Sequence, residues 1–314
     1  MGLEEVTYNI ITRNRPWPLS MAMTSLLSQP PDWSLLVYDS SDRPVDQDIH
    51  VKAVADALEA QGVFVRFEHG PKLGIPESFQ ASAEMAETPY VIRQEDDQLV
   101  QPGYIEELYR VMSAHKDAKV LGVGGAMCRP DPPRSTPMAA PDYLVAGLLL
   151  RTPESALRDW NWKTDGPFLE PYDQQQYNYV TNLDRLHKVP HLHGTFIYKR
   201  EQFLANGGFW RDGPWIGHRE ETLATLRDYF AGWDWLVTLK AKSWHLEYPT
   251  GGSRDMDMAE RHRLQCAAEL TFQETVQRWI KEHPERPVHI GPPETYVPPA
   301  NTEATSATTC GTAA

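Results

Sequence analysis

Three carboxylates stand side by side at Glu95-Asp96-Asp97, directly after the apolar run Tyr90-Val91-Ile92. Like charges this close repel unless a cation or hydrogen-bond donors offset them. A hard divalent ion would do so, because Mg²⁺ and Mn²⁺ prefer oxygen ligands and are commonly held by one or two carboxylates plus substrate phosphates. The plain alternative is a solvated acidic loop, the usual fate of a charge run. A second acidic pair, Glu220-Glu221, opens a helical pattern, where carboxylates also favour a helix N-terminus through its dipole. His245, between Trp244 and Leu246, is set where an ordinary buried histidine would be.

Other motifs carry less chemistry. Gly122-Val123-Gly124-Gly125 follows a strand but lacks the spacing and helix start of a dinucleotide loop. His191 and His193 have no partner at zinc-like spacing and read as strand residues. The chain holds no GxSxG elbow and no Walker loop. Cys128, Cys266 and Cys310 stand far apart with no CxxC pair, giving neither a disulfide framework nor a zinc-finger spacing.

The elements that must position the carboxylates are legible from hydrophobic periodicity. Residues 1–127 alternate strand-like and helix-like patterns, which predicts an α/β sheet with helices on its faces. Strands are expected at Val6 to Ile11, Ser34 to Tyr38, Val63 to Phe67, Tyr90 to Ile92 and Val120 to Val123. Helices are expected after Pro16, over Val51 to Gln61, Ser78 to Glu87 and Tyr104 to Ser113. The acidic triplet thus falls at the carboxyl end of a strand, where open α/β sheets place their ligands.

From Cys128 to His187 the periodicity is lost, and Trp160, Trp162, Phe168, Tyr172, Tyr177 and Tyr179 crowd into what reads as an insertion. A strand at Thr195 to Tyr198, a helix at Glu220 to Ala231, a strand at Trp235 to Leu239 and a long helix from about Met256 to Lys281 follow. Past His283 the sequence is rich in Pro, Thr and Ala, and residues 291–314 read as a disordered tail.

With 314 residues, 41% of them hydrophobic, the chain can bury a large core. A net charge of −13 argues against a broad basic surface for nucleic acid, although Arg129, Arg134, Arg151 and Arg158 leave room for a local groove. The apolar stretch Tyr143 to Leu150 is far shorter than the ~20 residues that span a bilayer. With no basic, apolar leader at the N-terminus, a cytoplasmic protein without stable membrane insertion is expected.

The order of motifs resembles family 2 glycosyltransferases of the GT-A fold. Ile11-Thr12-Arg13-Asn14-Arg15-Pro16 is similar to that family's first strand and loop, and Leu26-Leu27-Ser28-Gln29 to its helix end. Leu36-Val37-Tyr38-Asp39-Ser40-Ser41 resembles its second strand and nucleotide-contacting loop. Glu95-Asp96-Asp97 falls where its DXD motif belongs. His193-Gly194-Thr195-Phe196-Ile197-Tyr198, with Gly207-Gly208-Phe209, looks like its acceptor loop, strand and turn. His218-Arg219-Glu220-Glu221 resembles its xED motif, with Glu for the usual Asp, and Trp244-His245-Leu246 its C-terminal histidine.

The resemblance implies a GT-A type α/β fold with a mainly parallel central sheet, forming one domain over residues 1–283. Within it, 1–127 would be the nucleotide-sugar-binding half, 128–190 an acceptor-side insertion, and 191–283 the acceptor and catalytic half with the C-terminal helix. It also implies Mn²⁺ or Mg²⁺ held by Asp97, His245 and Glu95, and a nucleotide-sugar donor contacted by Thr12, Arg13, Arg15, Asp39, Asp96 and Gly194. The implied base is Glu221 or Glu220, which would take the proton of an acceptor hydroxyl and lead to inversion. UDP-sugars are the commonest donors in such families, whereas the acceptor stays open among glycan, metabolite, protein and modified nucleic-acid base. A non-catalytic nucleotide-sugar-binding protein is the other reading, since Glu replaces Asp at both 95 and 221. A nucleotidyltransferase would need a basic, glycine-rich phosphate loop near the N-terminus, which the sequence lacks.

Overall fold

The apolar runs form one mixed sheet in a computed structural model that describes residues 2–128, 186–192, 194–214, 217, 219–246, 248–286 and 294–295. β1 (Val6–Thr12) is buried along its whole length. β2 (Ser34–Asp39), β3 (Phe64–His69) and β4 (Tyr90–Glu95) lie parallel with it in the order β3-β2-β1-β4. A strand covered on both faces reads as a continuous apolar run rather than an alternating one, which is why β1 and β2 are conspicuous in the sequence.

After β5 (Gln98–Val100), the strand β6 (Val120–Cys128) extends the sheet away from β4, and β8 (Phe196–Lys199) runs antiparallel between the two. β9 (Asp234–His245) pairs parallel with β6 and antiparallel with β7 (Leu186–Val189), and the two-residue β10 (Glu294–Thr295) lies outside β7. β5 lies off this path and pairs antiparallel with β9.

Helices cover both faces of the sheet. α1 (Pro16–Leu26), α2 (Ile49–Ala60) and α4 (Tyr104–Ala114) bury Leu19, Met23, Leu58, Ile105 and Leu108 against Tyr8, Val37 and Ile92. On the other face α3 (Ile75–Met85), α5 (Arg200–Ala205), α6 (Glu220–Phe230) and α7 (Met258–Glu282) close Phe79, Phe203, Leu223, Phe272 and Trp279 around Val91, Tyr198 and Trp235. Each such side chain contributes about 1.5–3 kcal/mol by leaving water. The helix starts follow local chemistry: Pro16 sits in the first turn of α1, and Asp48 and Asp257 accept backbone N–H groups at the starts of α2 and α7.

Several elements depart from the sequence pattern. β9 continues to His245 instead of stopping at Leu239, because register shifts between β6 and β9 absorb the Gly124–Ala126 irregularity and let both strands run on. β5 is too short to show a period and exists through its pairing with β9. His191, expected in a strand, is a buried residue between β7 and β8. The aromatic part of the expected insertion, together with Arg129, Arg134, Arg151 and Arg158, and nearly all of the expected tail lie outside the described residues. Among the described residues no helix is long and apolar enough to cross a membrane.

Candidate active site

β4 ends at Glu95, and Asp96 and Asp97 make the turn into β5. The β5–β9 pairing sets Gln98 opposite His245, so the histidine arrives beside the acidic turn from the far end of the chain. Two backbone bonds pin the junction: Leu246 N–H donates to the Asp97 carbonyl at 2.8 Å and Tyr248 N–H to Asp97 Oδ2 at 3.1 Å. His245 Nε2 then lies 3.2 Å from Asp97 Oδ1 and 3.6 Å from Glu95 Oε2. One ligand atom from each of Glu95, Asp97 and His245 falls within 4.8 Å of the other two. Two carboxylate oxygens and one imidazole nitrogen at this spacing form a donor set that suits a divalent cation such as Mn²⁺ or Mg²⁺.

Arg15 braces this cluster from the other side. Its Nη1 donates to Asp96 Oδ1 at 2.6 Å and its Nη2 to Asp97 Oδ2 at 2.7 Å, so it leaves Asp97 Oδ1 to face His245. Thr12 Oγ1, at the end of β1, donates to Asp96 Oδ2 at 2.7 Å. Burial raises the Asp96 carboxyl to about 7, with Arg15 pulling the other way. Burial also works against Asp97, but contact with His245 and the charge of Arg15 outweigh it and hold that carboxyl below the usual range. The two neighbouring aspartates thus differ in character: Asp97 is the ionised one, suited to a cation, and Asp96 is the weaker acid.

These residues open onto a cavity of about 410 Å³. Its wall brings together Thr12, Arg13, Arg15, Glu95, Asp96, Asp97, Glu221 and His245. Asp39, Gly194 and Glu220 are not in that wall. The Asp39 carboxylate is buried and accepts from Ser41 N–H, Val45 N–H and the His69 ring, bracing the loop after β2. Gly194 adopts φ +72°, and its carbonyl accepts from Arg93 Nη1.

Both glutamates at the start of α6 are buried. The Glu220 oxygens find no hydrogen-bond partner among the described residues, and burial reinforced by the charge of Glu221 raises its carboxyl to about 8. Preceding them, Arg219 takes the left-handed conformation at φ 73° and sends its guanidinium to Glu269 of α7 at 3.3 Å, stacked over Phe272 at 4.9 Å. This buried pair ties the first turn of α6 to the C-terminal helix.

Some residues of the site escape a motif search. Arg254, in the short helical turn before α7, and Arg261 on α7 both reach the cavity wall. Gly251 packs so closely on Arg15 that a Cβ there would overlap its side chain. Arg93, two residues before Glu95 and on the same face of β4, is wholly buried. Strand alternation marks that position as inward-facing, and a charged side chain there is the one signal the sequence offers.

A family model described as Glycosyl transferase family 2 matches residues 9–200. No curated protein matches the chain. Among solved structures, GalNAc-T7 with UDP, GalNAc and Mn²⁺ is similar at a TM-score of 0.55 and 14% identity, over 89% of this chain and 54% of that one. The mannosyltransferase PcManGT from Pyrobaculum calidifontis, in complex with GDP-Man and Mn²⁺, is similar at a TM-score of 0.54 and 15% identity, over 91% of this chain and 70% of that one. S. aureus TarS in complex with UDP-GlcNAc gives a TM-score of 0.51 at 12% identity, over 90% and 72%. The chain therefore spans about half the length of the first of these, and at such identities the likeness is one of fold: the α/β arrangement is that of GT-A glycosyltransferases.

Proposed function

Because this chain belongs to glycosyl transferase family 2, we propose that it is a glycosyltransferase that moves a sugar from a nucleotide-sugar, with a UDP-sugar the favoured donor, onto an acceptor hydroxyl. The observation that carries the reading is that one cavity wall holds Glu95, Asp97 and His245 together with the carboxylate Glu221. A bound Mn²⁺ or Mg²⁺ would supply Lewis-acid stabilisation of the diphosphate leaving group. Asp97, His245 and Glu95 would hold that ion, and Arg15 keeps Asp97 ionised and turned towards it. Thr12 and Arg13, in the cavity wall, would contact the donor, with Asp39 bracing the loop after β2 from behind.

Glu221 lines the cavity and Glu220 does not, which favours Glu221 as the base. In this reading the acceptor O–H proton passes to the Glu221 carboxylate while the acceptor oxygen bonds to the anomeric carbon. The bond from that carbon to the phosphate oxygen breaks, its electron pair leaves with the nucleoside diphosphate, and a single displacement inverts the anomeric configuration. A positioned base of this kind accelerates transfer because an alcohol gives up its proton poorly near neutral pH. A carboxylate in the cavity wall beside a cation cluster also favours an enzyme over a non-catalytic nucleotide-sugar-binding protein.

The test is calorimetric titration with UDP and with GDP, each with and without Mn²⁺, on wild type and Asp97→Ala. Nucleotide binding that needs Mn²⁺ and disappears in Asp97→Ala is the expected result. Failure of both nucleotides to bind under every condition overturns the reading.

A further inference from the structure

Among the described residues, Arg93 is the largest charged side chain that is fully buried, at 0% exposure. It stands in the middle of the sheet on β4, opposite Phe196 of β8 and Asn9 of β1. Its guanidinium lies 4.2 Å from the Phe79 ring centroid and 5.9 Å from that of Phe196. An ion moved out of water costs several kcal/mol even after relaxation, and an apolar side chain would fill a sheet interior with no such penalty. Sheet packing alone therefore gives no reason for an arginine here.

The two ends of its fork give one. Nη2 donates to Glu95 Oε1 at 3.1 Å, and Nη1 donates to the carbonyl of Gly194. Glu95 Oε2, the other oxygen of that carboxylate, is the one that faces His245. Gly194 opens the segment leading into β8, held in the positive-φ conformation that suits glycine. The charge of Arg93 is also felt by Glu220, where it favours the ionised form. One rigid, planar group thus spans the cation side of the cavity and the loop before β8, which a lysine ammonium, a point donor on a flexible stem, cannot reproduce.

We propose that Arg93 is a positioning residue: it orients Glu95 as a cation ligand by tying that carboxylate to the Gly194 backbone behind it, so that one buried guanidinium fixes Glu95 to the segment that enters β8. The inference rests on the reading of Glu95, Asp97 and His245 as a cation site. Residues that hold metal ligands from behind change metal affinity when removed, typically by about 10–100-fold.

The test measures Mn²⁺ binding directly, by calorimetry and by the electron paramagnetic resonance of free Mn²⁺, with no substrate present. Arg93→Met, similar in length and uncharged, is expected to bind Mn²⁺ about 10–100-fold more weakly while still melting cooperatively. Should Arg93→Met fail to fold, Arg93→Lys in wild type and in a Glu95→Gln background replaces it. If Arg93 acts through Glu95, the lysine weakens Mn²⁺ binding in the wild type and adds nothing once Glu95 is Gln. Wild-type affinity in a folded Arg93 variant, or full additivity with Glu95→Gln, overturns the inference. Asp97→Ala separates the two levels. If it also keeps wild-type Mn²⁺ affinity, the cation site itself is wrong; if it loses Mn²⁺ while the Arg93 variants do not, only the role of Arg93 falls.

Discussion

Glu269→Ala tests whether the C-terminal helix holds the first turn of α6 through a buried ion pair. Glu269 is 0% exposed and Arg219 5%, and they meet at 3.3 Å, with Gln273 Nε2 donating to the other Glu269 oxygen at 2.6 Å. Removing the carboxylate takes away the acceptor that Arg219 and Gln273 share, and breaking a buried pair from one side costs about 3–5 kcal/mol. At about 2 °C per kcal/mol, the lower end of the range for large domains, the melting temperature should fall by about 6–10 °C. Differential scanning calorimetry at fixed pH and protein concentration reads this directly. The double variant Arg219→Met with Glu269→Leu removes both charges and keeps apolar volume, so it should recover most of the loss, since apolar replacement of buried pairs is often neutral or better. A Glu269→Ala protein melting within about 2 °C of wild type, or a double variant no more stable than the single one, refutes this account of how α6 is held.

Three further outcomes follow from the same geometry. Glu221→Gln should lower kcat by about 10²–10⁴-fold with Mn²⁺-dependent nucleotide binding unchanged, the pattern of a lost base, as measured by steady-state kinetics beside calorimetry. Glu220 keeps its proton to about 8 when folded but only to about 4.5 when unfolded, so between those values unfolding releases a proton and stability falls as pH rises. Glu220→Gln should flatten that fall in urea-unfolding free energies collected across pH 5 to 8, and an unchanged slope would remove Glu220 as its source. Gly208→Ala should cost about 1–3 kcal/mol in the same urea assay, because φ is +67° and the new Cβ would displace Gln80 Oε1 from the Phe209 N–H.

The parallel half of the sheet was the most legible part of the fold because β1, β2 and β4 are largely buried and leave apolar runs such as Ser34 to Tyr38. The position of the acidic triplet followed from the strand that ends in it. The reach of β9 did not, since Lys240 and Lys242 interrupt the apolar pattern and what carries the strand onward is pairing with β6 and β5. The assignment of the two glutamates was equally hidden: adjacent helix residues point in different directions, and which one meets the cavity depends on the angle at which α6 docks. Asp39 and Arg15 show the same limit. The family resemblance implies donor contacts for both, but only packing reveals that Asp39 braces the loop after β2 and that Arg15 binds Asp96 and Asp97. Arg93 carries no motif, and its partners Glu95 and Gly194 come together only when β4 and β8 pair.

The Tyr248 N–H that meets Asp97 belongs to a residue 151 positions further along the chain. A nascent chain that has just completed the family-matched stretch, residues 9–200, possesses the acidic turn but neither His245 nor Glu221. Completing the site requires β9 to pair with β5 across that separation, and such distant pairings are the slow ones to form. On the proposed reading, a fragment cut to the family boundary lacks both the histidine and the base, so it should show neither Mn²⁺-dependent nucleotide binding nor sugar transfer.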